Sequence, residues 1–372
     1  MIAWMLVAVV LLLSFANGAN DNLKGVATLL GSGTANYRRA LWWATISTSL
    51  GSVTAAWFAV DLLKTFSGKG LVADALVQRP EFAAAVACGA GLTVLLATRL
   101  GLPVSTTHGL LGALVGVGIA AGSAIHRGQL LAAFIVPLLL SPLVALASTA
   151  IVSPILSRIR VYLGVSPESC VCLESTVPQP VYTHEGVLAA CQVVPVSINF
   201  GTTTACGATD AGRVWGLEVQ NVLDVLHFGS AGLVSFARGL NDTPKIAAVM
   251  LVGVANDGLW PILLVGACMA VGGILRGQRV AETMSQRITA MNHGQGFTAN
   301  ALSGIIVIAA SGMGLPVSTT HVMCGSLFGI GVANRRAHWR TISGIAGAWL
   351  ITLPCGMVLG ALSYLVASRL LS

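Results

Sequence analysis

The sequence predicts an all-α protein: a polytopic membrane helix bundle of two inverted repeats, each with a re-entrant helical hairpin. Three observations predict it. Hydrophobic residues make up 55% of the 372-residue chain and charged ones 9%, with a mean hydropathy of +0.84. A soluble domain carries about 25% charged residues and cannot hide this much apolar surface from water. The string GLPVSTTH occurs at 101–108 and again, without a mismatch, at 314–321. Upstream of each copy lies a second related pair, SFANGANDNLK at 14–24 and SFARGLNDTPK at 235–245, identical at seven of eleven positions. Two related halves therefore carry the same two polar motifs in the same order.

The elements follow in chain order. Apolar runs at 1–19, 40–60, 83–98 and 129–152 belong to a first membrane repeat, 1–152. Runs at 222–238, 246–274, 299–313 and 341–367 belong to a second, 222–372. Each is of the length that spans a ~30 Å hydrocarbon core, and shorter segments broken by Gly and Pro raise the expected total to about ten to twelve. The first run lacks a basic flank and leads directly into GANDN, so it reads as a transmembrane helix and not a cleaved signal. Between the repeats, 153–221 is more polar and reads as an extramembrane connector with room for local strands.

Loop charges give the relative orientation. After the first motif, one repeat has Arg38 and Arg39 where the other has ANDG at 255–258. After the second motif, the bias reverses, with Arg335, Arg336 and Arg340 against Arg127 alone. Equivalent loops with opposite basic bias belong on opposite faces, which predicts inversion. The net charge of +7 and pI near 9.2 are ordinary for a membrane protein and give no sign of nucleic acid as a partner. The eight cysteines form neither a zinc spacing nor a disulfide framework, and Cys170, Cys172 and His184 read as solvated loop, so no metal and no cofactor is expected.

GLPVSTTH breaks an apolar run with Gly-Leu-Pro and then offers Ser105, Thr106 and Thr107, or Ser318, Thr319 and Thr320, at the start of a Gly-rich helix. Irregular backbone at membrane depth is tolerated only where it lines a cavity or is packed in protein, and a helix N-terminus there offers N–H groups and hydroxyls to an oxyanion. His108 and His321, which close the two copies, read as packing residues. In the other motif, Asp21, Lys24, Asp242 and Lys245 are ionisable groups in apolar surroundings, where an unpaired charge costs several kcal/mol. Asp and Lys one helical turn apart can neutralise each other. The neighbouring Asn20, Asn241, Gly18 and Gly239 suggest a substrate site with glycines that permit local unwinding.

These residues resemble the signature motifs of the PiT inorganic phosphate transporter family: GANDN followed by LLGSG at 29–33, SFARGLND at 235–242, and PVSTTH twice. The resemblance implies a cation-coupled symporter of inorganic phosphate, a homodimer, and a phosphate site built from Asn20, Asp21, Asn241, Asp242 and the two Ser-Thr-Thr triplets. The helical spans point to the cytoplasmic (inner) membrane, since outer-membrane proteins are barrels. Sodium-coupled relatives read GANDVANA, with Asn where this chain has Lys24 and Lys245, and carry acidic residues where it has Thr48 and Asn300. A lysine beside an aspartate occupies the space and supplies the charge of a sodium ion. The expected coupling cation is a proton or sodium, the proton being favoured because one or both sodium sites are filled by lysine. Asp21, Lys24, Asp242 and Lys245 are the coupling residues, and uniport is the other reading. Sulfate permease and anion channel are the alternatives. Carboxylates favour phosphate, which keeps a P–OH donor, over sulfate, which has only acceptors. A channel would need a continuous polar pathway. An enzyme is not expected, since neither a nucleophile elbow nor HExxH occurs.

Overall fold

The computed structural model describes residues 2–164, 169–174, 179–182, 188–192, 197–202, 215–251 and 259–371. The ANDG stretch at 255–258 and His184 lie outside the described residues. The chain forms two compact units, Met1–Ser153 with His227–Ser372, and Pro154–Leu226. The two membrane halves of the sequence thus share one unit.

In the first half the helices are α1 (Ile2–Asp21), α2 (Ala27–Ser32), α3 (Tyr37–Phe58), two short pieces α4 (Val60–Thr65) and α5 (Asp74–Val77), α6 (Pro80–Arg99), α7 (Thr106–Ala120) and α8 (Arg127–Tyr162). α8 contains a π-helical stretch at Leu130–Ile135. The second half has α9 (Val219–Leu251), α10 (Trp260–Arg276), α11 (Gln278–Gln286), α12 (His293–Gly312), α13 (Thr319–Ala333) and α14 (Trp339–Leu371). α10 and α11 meet at a 71° bend.

Among the described residues four helices are long and apolar enough to cross a membrane: α1, α6, α8 and α14. Only 22% of the apolar window of α8 and 17% of that of α14 is buried, so these two present most of their surface outward. α3, α9 and α12 are also 22, 33 and 20 residues long, yet they carry Thr48, Arg238, Asn241, Asp242 and Asn300 into the interior. A helix that buries polar groups against other helices need not be apolar all round.

The GLPVSTTH string folds the same way twice. Gly101 (φ +67°) and Gly314 (φ +68°) sit in the left-handed region, where only glycine is free of strain. Each closes the preceding helix with a matched bond, from Leu102 N–H to the Ala97 carbonyl at 3.0 Å and from Leu315 N–H to the Ala310 carbonyl at 2.9 Å. Ser105 and Ser318 then cap α7 and α13, accepting from the N–H of His108 and His321 at 3.2 Å each. At 15 residues, each of these helices is about 22 Å long and falls short of a ~30 Å core.

The duplicated glycine register is a packing device. A Cβ at Gly112 or Gly116 would strike the Leu353 or Met357 carbonyl of α14, and one at Gly325 or Gly329 the Pro142 or Leu146 carbonyl of α8. Small residues four apart let helices approach to backbone contact, which in lipid replaces the hydrophobic drive for association. Gly18 and Gly239 act in the same way and not as points of unwinding. Both lie within helices, pressed on the Met269 and Thr48 carbonyls, because the side chain they lack would fill the interhelical gap. The chain does unwind at the end of the first motif, over Asn22–Val26, whereas α9 runs unbroken through the second with Pro244 inside it.

The unit Pro154–Leu226 adds strands β1 (Ser169–Glu174), β2 (Gln179–Tyr182), β3 (Leu188–Gln192), β4 (Ser197–Thr202) and β5 (Trp215–Glu218). They pair antiparallel as β4-β1-β5 and β2-β3. The all-α description therefore belongs to the membrane unit, and the connector holds short strands.

Candidate functional site

The end of α1 and the turn that follows build the first half of the site. Lys24 folds back along the chain, and its ammonium pairs with Asp21. Its other acceptors are Asn20 Oδ1 at 2.7 Å, the Val104 carbonyl at 2.8 Å and Thr320 Oγ1 at 2.6 Å. Asp21 also accepts from Asn17 Nδ2 at 3.0 Å and from Thr106 Oγ1 at 3.1 Å. Asn20 donates to Thr98 Oγ1 at 2.9 Å and to the Leu102 carbonyl at 3.1 Å, which holds the turn before α7.

The second half repeats the pattern. Lys245 donates to the Val317 carbonyl at 2.6 Å and to Thr107 Oγ1 at 3.0 Å, and lies 3.6 Å from Asp242. Asn241 donates to Asp242 Oδ1 at 3.0 Å and to the Val317 carbonyl at 3.2 Å. Each lysine thus takes a carbonyl from its own half and a threonine hydroxyl from the other. That exchange brings the starts of α7 and α13 together. Thr319, at the place matching Thr106, is buried but has no counterpart of the Thr106–Asp21 bond.

Arg238 and Asn17 occupy matched positions of the two motifs and meet at the centre. The guanidinium donates to Asn17 Oδ1 at 2.6 Å, to Asn22 Oδ1 at 3.2 Å and to Thr48 Oγ1 at 3.4 Å, with Nε 3.8 Å from Asp242. Asn17 in turn donates to Asp242 Oδ2 at 3.3 Å. Contacts between α1–α2 and α9 pair rising with falling numbers: Asn17 with Asp242, Asn22 with Arg238, Thr28 with His227. The two segments therefore run antiparallel.

Asp21, Lys24, Arg238, Asp242 and Lys245 are each at most 3% exposed. The cluster counts three basic side chains against two carboxylates, and each basic group lies within 4.0 Å of one of them. A buried charge is costly unless paired. The N-terminal turns of two helices, with their hydroxyls, lie beside this cluster.

The remaining polar groups sit around this centre. Thr48 serves Arg238 and donates to the Ser235 carbonyl at 3.1 Å. Asn300 lies apart from the lysines and donates to Thr28 Oγ1 at 2.7 Å, while Thr28 also meets His227 Nε2 at 3.0 Å. His108 and His321 pack ring against ring with centroids 4.5 Å apart, and His321 stacks on Trp349 at 3.9 Å.

Sequence reasoning brought out the aspartates, lysines and hydroxyl triplets but missed Arg238, Asn17 and the Val104 and Val317 carbonyls. A signal for Arg238 existed: it is the one charged residue between 225 and 241, and the motif alignment sets it opposite a polar Asn17.

A family model described as "Phosphate transporter family" matches residues 17–360. The chain is similar to the "Probable low-affinity inorganic phosphate transporter" of Rhizobium meliloti (strain 1021), 27% identical over 376 residues that cover 97% of this chain and 95% of the relative. A solved structure titled "The sodium-dependent phosphate transporter" superposes with a TM-score of 0.75 at 20% identity, covering 99% of each chain. At that identity the likeness is one of fold.

Proposed function

The chain belongs to the phosphate transporter family, and from that premise we propose that it carries inorganic phosphate across the cytoplasmic membrane in symport with protons, without sodium. One observation carries the reading: each buried lysine ammonium occupies a shell of oxygen atoms of the kind an alkali cation needs. Lys24 has Asp21, Asn20, the Val104 carbonyl and Thr320, and Lys245 has Asp242, the Val317 carbonyl and Thr107. A hard cation would use such oxygens as ligands, but a tethered ammonium supplies the same charge and cannot leave with the substrate. A proton is then the cation still free to travel.

Phosphate enters at this cluster, which has fewer carboxylates than basic groups. Asn20, Asp21, Ser105, Thr106 and Thr107 line it from one half, and Asn241, Asp242, Ser318, Thr319 and Thr320 from the other. The N–H groups of the first turns of α7 and α13, the threonine hydroxyls and both ammoniums replace the water around the ion. A P–OH group donates to Asp21 or Asp242, whereas sulfate brings only acceptors to those carboxylates. Lys24, Lys245, Asp21 and Asp242 serve as the coupling residues. Two inverted halves with re-entrant hairpins, assembled as a homodimer, complete the proposal.

Uptake of radiolabelled phosphate into proteoliposomes tests it. An imposed proton gradient without sodium is expected to drive accumulation, and excess sulfate to leave it unchanged. A strict requirement for a sodium gradient, with no response to pH, would overturn the coupling.

A further inference from the structure

A cavity of about 430 Å³ lies between α1 and the C-terminal ends of α6 and α10, outside the lysine cluster. Phe15 and Leu95 contribute to its apolar wall, and Arg99, Arg276 and Arg279, all three exposed, contribute to its open side. Among the described residues the ion pairs are those of Asp21, Asp61 and Asp242, so none of these arginines has a carboxylate within 4.0 Å. Glu282, one turn from Arg279 on α11, is bonded instead to the Gln278 amide at 3.0 Å. Capping accounts for only part of the arrangement. Arg279 donates from Nη1 to the Arg99 carbonyl at 2.9 Å, and a guanidinium carries five N–H donors.

The cavity also touches the buried site. Thr98 lines it and accepts from Asn20 Nδ2 at 2.9 Å, while Asn20 Oδ1 accepts from Lys24 at 2.7 Å. The side chains of Thr98 and Asn20 therefore stand between the cavity and an ammonium. Three arginines without a carboxylate partner beside an apolar wall give a positive potential, and a guanidinium matches a phosphate group in geometry as well as in charge.

We infer that this cavity is a second phosphate-binding site, in which Arg99, Arg276 and Arg279 hold the anion and Asn20 passes it to or from Lys24. That hand-over rests on the proposed phosphate transport. The phosphate group is that of the free inorganic ion or of an anionic phospholipid whose chain follows the apolar wall.

Equilibrium binding of radiolabelled phosphate to the purified full-length chain separates these cases, in nanodiscs of phosphatidylcholine alone or mixed with phosphatidylglycerol. Wild type is expected to bind two phosphates per chain in phosphatidylcholine. The triple variant Arg99→Gln, Arg276→Gln, Arg279→Gln is expected to bind one, with its KM for uptake raised ~tenfold and its maximal rate kept. Arg276→Gln alone is expected to weaken the second site in the same direction, should the triple variant not fold. Phosphatidylglycerol retained by wild type and lost from the variants assigns the group to a lipid, which supports the site and overturns the hand-over through Asn20. One bound phosphate in wild type and variants alike, with no phosphatidylglycerol retained, overturns the inference while leaving transport intact. Two bound phosphates without any uptake would sink the transport reading and not the site.

Discussion

Replacing Lys24 by Asn removes one ammonium from the buried cluster. Its magnitude follows from what Asp21 keeps. Breaking a buried ion pair by deleting one partner costs ~3–5 kcal/mol, because the remaining charge is left uncompensated. Asp21 retains Asn17 at 3.0 Å and Thr106 at 3.1 Å, which puts the cost at the lower end, ~3 kcal/mol. At ~1.4 kcal/mol per factor of ten, phosphate uptake by Lys24→Asn should fall about a hundredfold in sodium-free choline medium. Asp21, Asn20, the Val104 carbonyl and Thr320 are then vacant oxygens around a space the size of an ammonium, a site suited to a small alkali cation. Adding sodium should recover most of the loss, while wild type should be indifferent to it. Proteoliposome uptake of radiolabelled phosphate, with choline or sodium outside, reads both effects. The reasoning is refuted if the variant transports like wild type in choline, or if its deficit is the same with and without sodium.

Arg238→Lys should abolish uptake and lower the melting temperature, because one ammonium cannot reach Asn17, Asn22 and Thr48 at once as the planar fork does. Uptake and differential scanning fluorimetry check it, and wild-type activity in the variant would show that charge alone suffices. Gly325→Leu drives a side chain into the Pro142 carbonyl and should cost about 1–3 kcal/mol, seen as a lower melting temperature. Gly344→Leu, where nothing lies within 4 Å, should leave that temperature unchanged.

Much of this molecule can be read from its residues because the lipid environment imposes a blunt rule: apolar runs span, and charges within them need a reason. The aspartates, lysines and hydroxyl triplets stood out on that ground, and the repeated string pointed to paired helix starts. α3, α9 and α12 were harder to place whole, since their inward polar faces dilute the hydropathy that marks a span. The hydroxyl partner of Lys24 was beyond reach, since Thr320 lies 296 positions away and belongs to the other copy. Gly18 and Gly239 misled for a physical reason: glycine serves both a loosened backbone and a close helix crossing, and nothing local separates the two.

The crossed pairing of lysines with threonines ties the fates of the halves together. A change at Thr107 disturbs the ammonium of Lys245, and one at Thr320 disturbs Lys24. Neither copy can be retuned, shortened or borrowed by another protein without its mate, so successful substitutions should arrive as couples drawn from opposite ends of the gene.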